Sequence, residues 1–71
     1  MNENKTQTVR YYSTQRPVAP GTFPKTQKVK DIVNFDRRQQ IPEINHEAWG
    51  YIEYEAPLDA DEANRYELII G

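Results

Sequence analysis

Apolar and polar residues alternate along three stretches of the chain, which is the pattern of half-buried β-strands. The stretches are residues 8–14, 28–35 and 48–55. In the third stretch Trp49 and Tyr51 lie on one face and Ile52 lies on the other, so that neither face is wholly polar. We therefore expect this strand in the middle of a sheet.

The first two stretches have one apolar face each. In the first, Val9 and Tyr11 share a face, and Arg10 and Tyr12 share the opposite one. The second stretch places its apolar residues on one side as well, and these are Val29, Val33 and Phe35. The pattern predicts that residues 36–38 form the solvated end or turn of this strand. Residues 39–41 are predicted to form a short extended piece that stops at a proline.

Prolines and a glycine separate the first two strands, which predicts an ordered loop with Val18 and Phe23 turned back onto the core. After the third strand, Asp59 is placed to act as a helix N-cap, with Glu62 three positions later to complete a capping box. We therefore expect a short helix over residues 60–66.

Residues 68–70 form either a last helical turn or a return strand after the helix, and their two adjacent isoleucines favour the strand. Residues 1–7 are polar and are predicted to be a disordered tail. Residues 8–71 are predicted to form a single small domain of the α+β class. Its expected architecture is a three- to four-stranded, mainly antiparallel sheet with one short C-terminal helix.

A chain of 71 residues has a small core, and this one contains no cysteine to reinforce it with a disulfide. A partner protein or a homodimer is a remaining route to stability. The absence of cysteine and of an apolar signal or membrane segment leads us to expect a cytoplasmic protein that does not enter a membrane.

Charge is distributed unevenly along the chain. Residues 1–38 carry eight basic and three acidic side chains, a net +5, and residues 39–71 carry one basic and eight acidic side chains, a net −7. The two halves either neutralise each other by folding together or form separate faces for different partners.

The sequence lacks the combinations of residues that common catalytic sites require. Ser13 is the single serine and His46 the single histidine, and position 50 is a glycine where a metalloprotease helix needs a second histidine. The three glycines are dispersed, so no phosphate-cradling loop is present. We expect a protein that is not an enzyme and has no catalytic residues, no cofactor and no metal.

An interaction module is the function that we predict, with an unidentified protein as its partner. The candidate contact surface combines aromatic residues with arginines, the residue types that dominate interface hot spots. It comprises Arg10, Tyr12, Arg16, Arg37, Arg38, Trp49, Tyr51 and Tyr54. The strand of residues 10–16 and the acidic segment after Glu53 are the two regions most suited to contact.

Two alternatives remain open. The basic N-terminal half interleaves cations with aromatic residues, which is typical of nucleic-acid binding, although a pI of about 5.3 weighs against it. The acidic C-terminal half is suited to mimicking DNA, in which case the protein would act as an inhibitor.

Residues 10–24, followed by residues 32–36 and 48–51, resemble small proteins encoded on gut-bacterial mobile elements and phages. They are similar to one of the large polyvalent protein-associated domain families. The resemblance covers most of the chain from Arg10 onward and carries over no functional residue. It implies a modular accessory domain that supports conjugation, phage establishment or evasion of host defence.

Overall fold

Four antiparallel strands and one helix make up the structure, a computed structural model that describes residues 8–71. Their bounds are β1 Val9–Ser13, β2 Val29–Ile41, β3 His46–Tyr54, α1 Ala60–Arg65 and β4 Leu68–Ile70. The strand order in the sheet is β2-β3-β1-β4. The α+β prediction is confirmed, as are the inner position of β3 and the return strand after the helix. The predicted disordered tail, residues 1–7, lies outside the described residues.

Strand β2 differs from the sequence prediction. Residues 36–38 lie within this strand and do not form a turn at its end. Asn34 pairs with Gly50 and Gln39 pairs with Ala48, so β2 inserts extra residues between two successive pairs with β3. Such a bulge bends the strand and lets pairing resume beyond it. Periodicity alone could not reveal it, because the bulge depends on which residues of β3 lie opposite.

A second register shift separates Val29 from Asp31, and it corrects the predicted apolar side of β2. Val29 pairs with Tyr54 and packs against the helix-side core, whereas Val33 pairs with Tyr51. Tyr51 and Tyr54 are three residues apart on β3 and therefore lie on opposite faces. The two valines consequently do not share a side.

The main core lies between the sheet and the helix. Ile52 and Tyr54 are fully buried in it, and the ring of Tyr54 meets that of Tyr11 edge to face, with ring centroids 5.8 Å apart. Val18 and Phe23 are also buried, which confirms that the loop between β1 and β2 folds back onto the core.

Buried hydroxyl groups tie connecting segments to this core. The Tyr54 hydroxyl donates to the Pro24 carbonyl at 2.8 Å, and the Leu58 amide donates to the Tyr11 hydroxyl at 2.9 Å. Burial is the main cause that raises the pKa of Tyr54 above its ordinary value, so its phenol stays protonated and remains a donor. The two bonds hold the loop between β1 and β2 and the segment before α1 against the helix-side core.

Helix α1 begins where it was predicted but is capped differently. Asp59 occupies the N-cap position, yet its side chain makes no capping hydrogen bond. The Glu62 carboxylate accepts a hydrogen bond from Thr26 at 2.7 Å and so ties the helix to the loop between β1 and β2. The expected capping box is therefore wrong, because a distant threonine has taken the carboxylate. Within residues 8–71 no helix is long and apolar enough to span a membrane.

A smaller apolar cluster lies where the β2–β3 hairpin ends. Tyr12, Ile41 and Ala48 are its buried members, and Phe35, Ile44 and Tyr51 pack against them. The hairpin turn spans residues 42–45 and contains Asn45 at a φ of 53°, a left-handed conformation that asparagine tolerates well. The end of the hairpin thereby buries Tyr12.

Candidate functional site

Strand register brings charged and aromatic side chains together on the sheet face opposite the helix-side core. Arg10 pairs with Glu53 and Tyr12 pairs with Tyr51, and directly paired residues of antiparallel strands share a face. We name the resulting surface the aromatic–arginine face. It comprises Arg10, Phe35, Arg38, Glu47, Trp49, Tyr51 and Glu53.

Tyr51 stands at the centre of the aromatic–arginine face. The Arg10 guanidinium lies 3.9 Å from the centroid of the Tyr51 ring, within the range of a cation–π interaction. The rings of Tyr12 and Phe35 meet Tyr51 edge to face, with centroids 5.7 Å and 6.2 Å away. Tyr51 itself is half-buried, so the ring is held on several sides while part of it stays accessible.

The Arg10 guanidinium is also ion-paired. Its Nη2 lies 2.9 Å from Glu53 Oε1, and the second oxygen of Glu53 accepts a hydrogen bond from the Thr8 hydroxyl at 2.6 Å. The Thr8 hydrogen bond, followed by that from Arg10, lowers the pKa of Glu53 below its usual value. A hydrogen bond to the Tyr12 hydroxyl is the first cause that raises the pKa of Arg10. Glu53 is thus held ionised beside a cation.

Acid is expected to weaken this arrangement. Because the pKa of Glu53 is lower in the folded chain than in the unfolded chain, its contribution to stability is complete above the ordinary pKa of 4.5. The contribution is lost as the pH falls through the lowered value. We expect Glu53→Gln to unfold with a shallower pH dependence below about pH 4.5 than the wild type, measured by urea denaturation at a series of pH values. Identical slopes for the two proteins would show that Glu53 does not carry the effect.

A second arginine extends the surface along β3. Trp49 lies two residues from Tyr51 and therefore on the same face, and the Arg38 guanidinium is 5.9 Å from the centroid of its ring. Arg38 Nε also lies 2.9 Å from Glu47 Oε1. Each arginine of the surface is thus paired with one carboxylate and one aromatic ring.

The structure brings together four of the eight residues predicted to form the contact surface. Arg10, Arg38, Trp49 and Tyr51 lie on the aromatic–arginine face. Arg16 pairs with Glu67 beyond the end of β1, and Arg37 is exposed in the bulged part of β2.

Tyr12 and Tyr54 do not belong to an exposed surface, which corrects their assignment. Tyr12 is 4% exposed and Tyr54 is 0% exposed. Tyr54 lies in the helix-side core, and the hairpin end covers Tyr12. Their rings are therefore unavailable to a partner in this fold.

Phe35, Glu47 and Glu53 belong to the surface but were not predicted as contact residues. Alternation along β3 places Glu53 on the same face as Trp49 and Tyr51, which was a usable signal for this residue. Phe35 had no comparable signal, because the bulge in β2 decides where its ring lies.

Ion pairs connect the basic half of the chain with the acidic half. Four are formed by the described residues, and each joins a cation from residues 1–38 to an acid from residues 39–71. They are Arg10–Glu53, Arg16–Glu67, Lys28–Glu55 and Arg38–Glu47. The two halves therefore neutralise each other in part, as the first of the two interpretations anticipated.

The side chains of Ser13 and His46 each form a hydrogen bond with a backbone carbonyl. Ser13 is 1% exposed, and its hydroxyl donates to the Arg16 carbonyl. His46 is exposed at the start of β3, where Nδ1 donates to the Glu47 carbonyl at 2.7 Å. In the part of the chain that the structure describes, no group of three or more His, Cys, Asp or Glu side chains is placed to hold a metal ion.

Comparison with known proteins identifies the family of this chain. Neither the curated proteins nor the solved structures contain a match to this chain. A family model described as "Defence against restriction A C-terminal" matches residues 6–71. The match is consistent with the association with phages and mobile elements that the sequence resemblance implied, and it spans every strand and the helix. The chain belongs to the Defence against restriction A C-terminal family.

Proposed function

We propose that this chain is a non-enzymatic domain that contacts another protein and works in defence of phage or mobile-element DNA against restriction. The family's name supports the biological setting, since it refers to defence against restriction. The observation that supports protein contact is the cluster of side chains around Tyr51, in which the Arg10 guanidinium lies 3.9 Å from the ring centroid on the face away from the helix. We propose the aromatic–arginine face as the contact surface.

The composition of this surface favours a protein partner. Tryptophan, tyrosine and arginine are the residue types most enriched among the hot spots that dominate binding energy at protein interfaces. In the aromatic–arginine face these residues are already held by neighbouring rings and carboxylates, so little side-chain freedom remains to be lost on binding. A surface whose side chains are already ordered favours specific binding to a partner protein.

Nucleic acid fits this surface less well. Arg10 lies 2.9 Å from Glu53 and Arg38 lies 2.9 Å from Glu47, so a phosphate group would approach each cation beside a carboxylate. Binding to nucleic acid gains its affinity from cations that neutralise phosphates. The pairing of each cation with an acid supports the protein-contact proposal over the nucleic-acid alternative.

The same pairing bears on the DNA-mimic alternative. Three acids of the C-terminal half, Glu47, Glu53 and Glu67, are neutralised by arginines of the N-terminal half. A DNA mimic needs a run of unpaired negative charges at phosphate-like spacing. We therefore prefer the protein-contact module, acting in the cytoplasm, and propose that it serves as an accessory part of a larger assembly, as the likeness to polyvalent proteins implies.

A pull-down with matched variants tests the proposal. We expect the tagged wild-type chain to recover a specific protein from a lysate of cells that carry the phage or mobile element. Recovery by Trp49→Ala and by Arg38→Ala should fall about tenfold, since each removes one member of an interface hot spot. Lys25→Ala changes an exposed cation in the loop between β1 and β2 and serves as the control. Circular dichroism establishes that all variants are folded.

Two results would contradict the proposal. One is equal recovery of the same protein by the wild type and by both surface variants. The other is salt-sensitive binding of nucleic acid in a gel shift at low ionic strength that is lost in Arg10→Ala or Arg38→Ala, which would establish the nucleic-acid alternative.

A further inference from the structure

A cavity opens on the opposite side of the sheet, between α1 and the edge strand β4. Its volume is about 400 Å³, which is at the small end of ligand-binding pockets and suits a single large side chain. Apolar groups form most of its wall, including Tyr11, Leu58, Ala63, Leu68 and Ile70. The cavity is separate from the aromatic–arginine face, since Tyr11 and Tyr12 point to opposite faces of β1.

The strand beside this cavity ends the sheet. Strand β4 pairs with β1 on one side, and within residues 8–71 no strand pairs with its other side. Ile70 lies on this strand and is 56% exposed, so its side chain is accessible beside the cavity. An exposed edge of this kind is a template for another strand.

Hydrogen-bond alternation shows which backbone groups face outward. The Gly71 amide donates to the Arg10 carbonyl at 2.8 Å, so Gly71 and Arg10 form a hydrogen-bonded pair. In antiparallel strands hydrogen-bonded and non-hydrogen-bonded pairs alternate, and the next pair along is Ile70 with Tyr11. The amide and carbonyl of Ile70 therefore point away from β1, toward the edge of the sheet.

A single added β-strand could use both the outward-facing amide and carbonyl of Ile70 and the cavity. A strand added to β4 would bond to the backbone of Ile70, and every second side chain of that strand would face the helix side of the sheet. One such side chain would reach the cavity, because Ile70 and Leu68 line it. Backbone bonding then supplies affinity, and the cavity selects the side chain.

Charge around the cavity indicates what flanks this side chain. Asp59 and Asp61 are exposed on either side of Ala60, which lines the cavity. Neither takes part in an ion pair formed by the described residues. A segment with lysine or arginine two residues from its apolar anchor complements them, because side chains two residues apart on a strand share a face.

We infer that β4 and the cavity under α1 bind an extended, basic segment of a partner protein, which pairs with the edge strand and inserts one aliphatic side chain. The inference rests on the proposal that the chain acts by contacting proteins, but it concerns a second surface on the other face of the sheet.

A peptide titration tests this binding directly. The probe is the capped peptide Ac-Thr-Lys-Thr-Leu-Thr-Lys-Thr-NH₂, whose leucine and two lysines share one face of a strand, added to the full ¹⁵N-labelled chain and followed by NMR. We expect saturable shifts of the Ile70 and Ala63 amide signals, with Trp49 unaffected. A peptide with glutamate in place of each lysine should bind about tenfold more weakly, and so should one with asparagine in place of the leucine.

Variants of the edge and the cavity provide matched controls. Ile70→Pro removes an amide that points away from β1, a position where a strand tolerates proline, and it should weaken peptide binding about tenfold or more. Ile70→Val retains the amide and should bind like the wild type. Ala63→Leu places a larger side chain in the cavity and should also weaken binding about tenfold or more, and thermal unfolding tests whether this variant stays folded.

Several outcomes would overturn the inference. These are the absence of peptide-induced shifts, shifts confined to the aromatic–arginine face, unchanged binding by both Ile70→Pro and Ala63→Leu, or occupation of the edge by a second copy of this chain in light scattering. The two proposals fail separately. Loss of pull-down in Trp49→Ala together with no peptide binding would retain the proposed function and reject this second surface.

Discussion

Replacing Gly50 with alanine is expected to lower the free energy of unfolding by about 2–3 kcal/mol, because the added methyl group has no room in the sheet. A Cβ atom at this position would lie 2.3 Å from the Val33 carbonyl oxygen and 3.0 Å from the Asn34 Cα. Both are backbone atoms of β2, so the neighbouring strand itself would have to move. The measurement is urea denaturation followed by circular dichroism.

Gly21→Ala is the control for this effect. Gly21 has a φ of 91°, so alanine there is strained, but nothing lies within 4 Å of the added Cβ. We expect a cost of about 1 kcal/mol from the backbone alone. If Gly50→Ala is as stable as Gly21→Ala or more stable, then the close contact between β2 and β3 at Gly50 does not require a glycine.

Removing the Tyr54 ring is expected to have the largest effect of any single substitution. Tyr54 is 0% exposed, and its ring packs against Tyr11 in the helix-side core. Truncation of a buried aromatic residue costs about 3–5 kcal/mol, which equals the stability that a domain of this size usually has. Tyr54→Ala should therefore be largely unfolded at 25 °C, as judged by circular dichroism and by loss of NMR signal dispersion.

Tyr54→Phe separates the ring from its hydroxyl group. The ring remains, but the buried Pro24 carbonyl loses the donor that lies 2.8 Å away. We expect this variant to fold and to be about 1–2 kcal/mol less stable than the wild type. Wild-type stability in Tyr54→Phe would mean that water replaces the hydroxyl. A folded Tyr54→Ala variant would show that the core does not depend on the Tyr54 ring.

The distribution of charge along the sequence has a structural explanation in the sheet. Strand β1 and most of β2 come from the basic half and β3 from the acidic half, and β3 lies between the other two. Cations and acids therefore meet across strand pairs, as Arg10 meets Glu53 and Arg38 meets Glu47. Exposed pairs of this kind contribute little to stability individually, about 0–1 kcal/mol each. We propose that their larger effect is on which partners the surface can accept.

The two proposed surfaces divide the molecule between the faces of one sheet. Arg10 and Tyr51 belong to the aromatic–arginine face, whereas Tyr11 and Ile70 line the cavity on the other side. Because the sheet is one layer thick, a substitution on one face leaves the side chains of the other in place. Variants such as Trp49→Ala and Ala63→Leu can therefore assign a partner to one face.

Local sequence determined most of the elements and the direction of their side chains. Alternation correctly separated Val9 and Tyr11 from Arg10 and Tyr12, and it placed Trp49 and Tyr51 on one face of an inner strand. These features depend only on neighbours along the chain and on the two-residue period of a strand. The short helix and the return strand after it were also evident from local signals.

Only the tertiary structure decided which rings are accessible and which acids are paired. Tyr12 and Tyr51 share a face, yet the hairpin end buries Tyr12 and leaves Tyr51 half-exposed. Glu62 was expected to cap its own helix but accepts from Thr26, which is 36 residues away. Such outcomes depend on register, on the bulge in β2 and on contacts between distant segments. No local pattern encodes them, because residues far apart in sequence meet only when the sheet has formed.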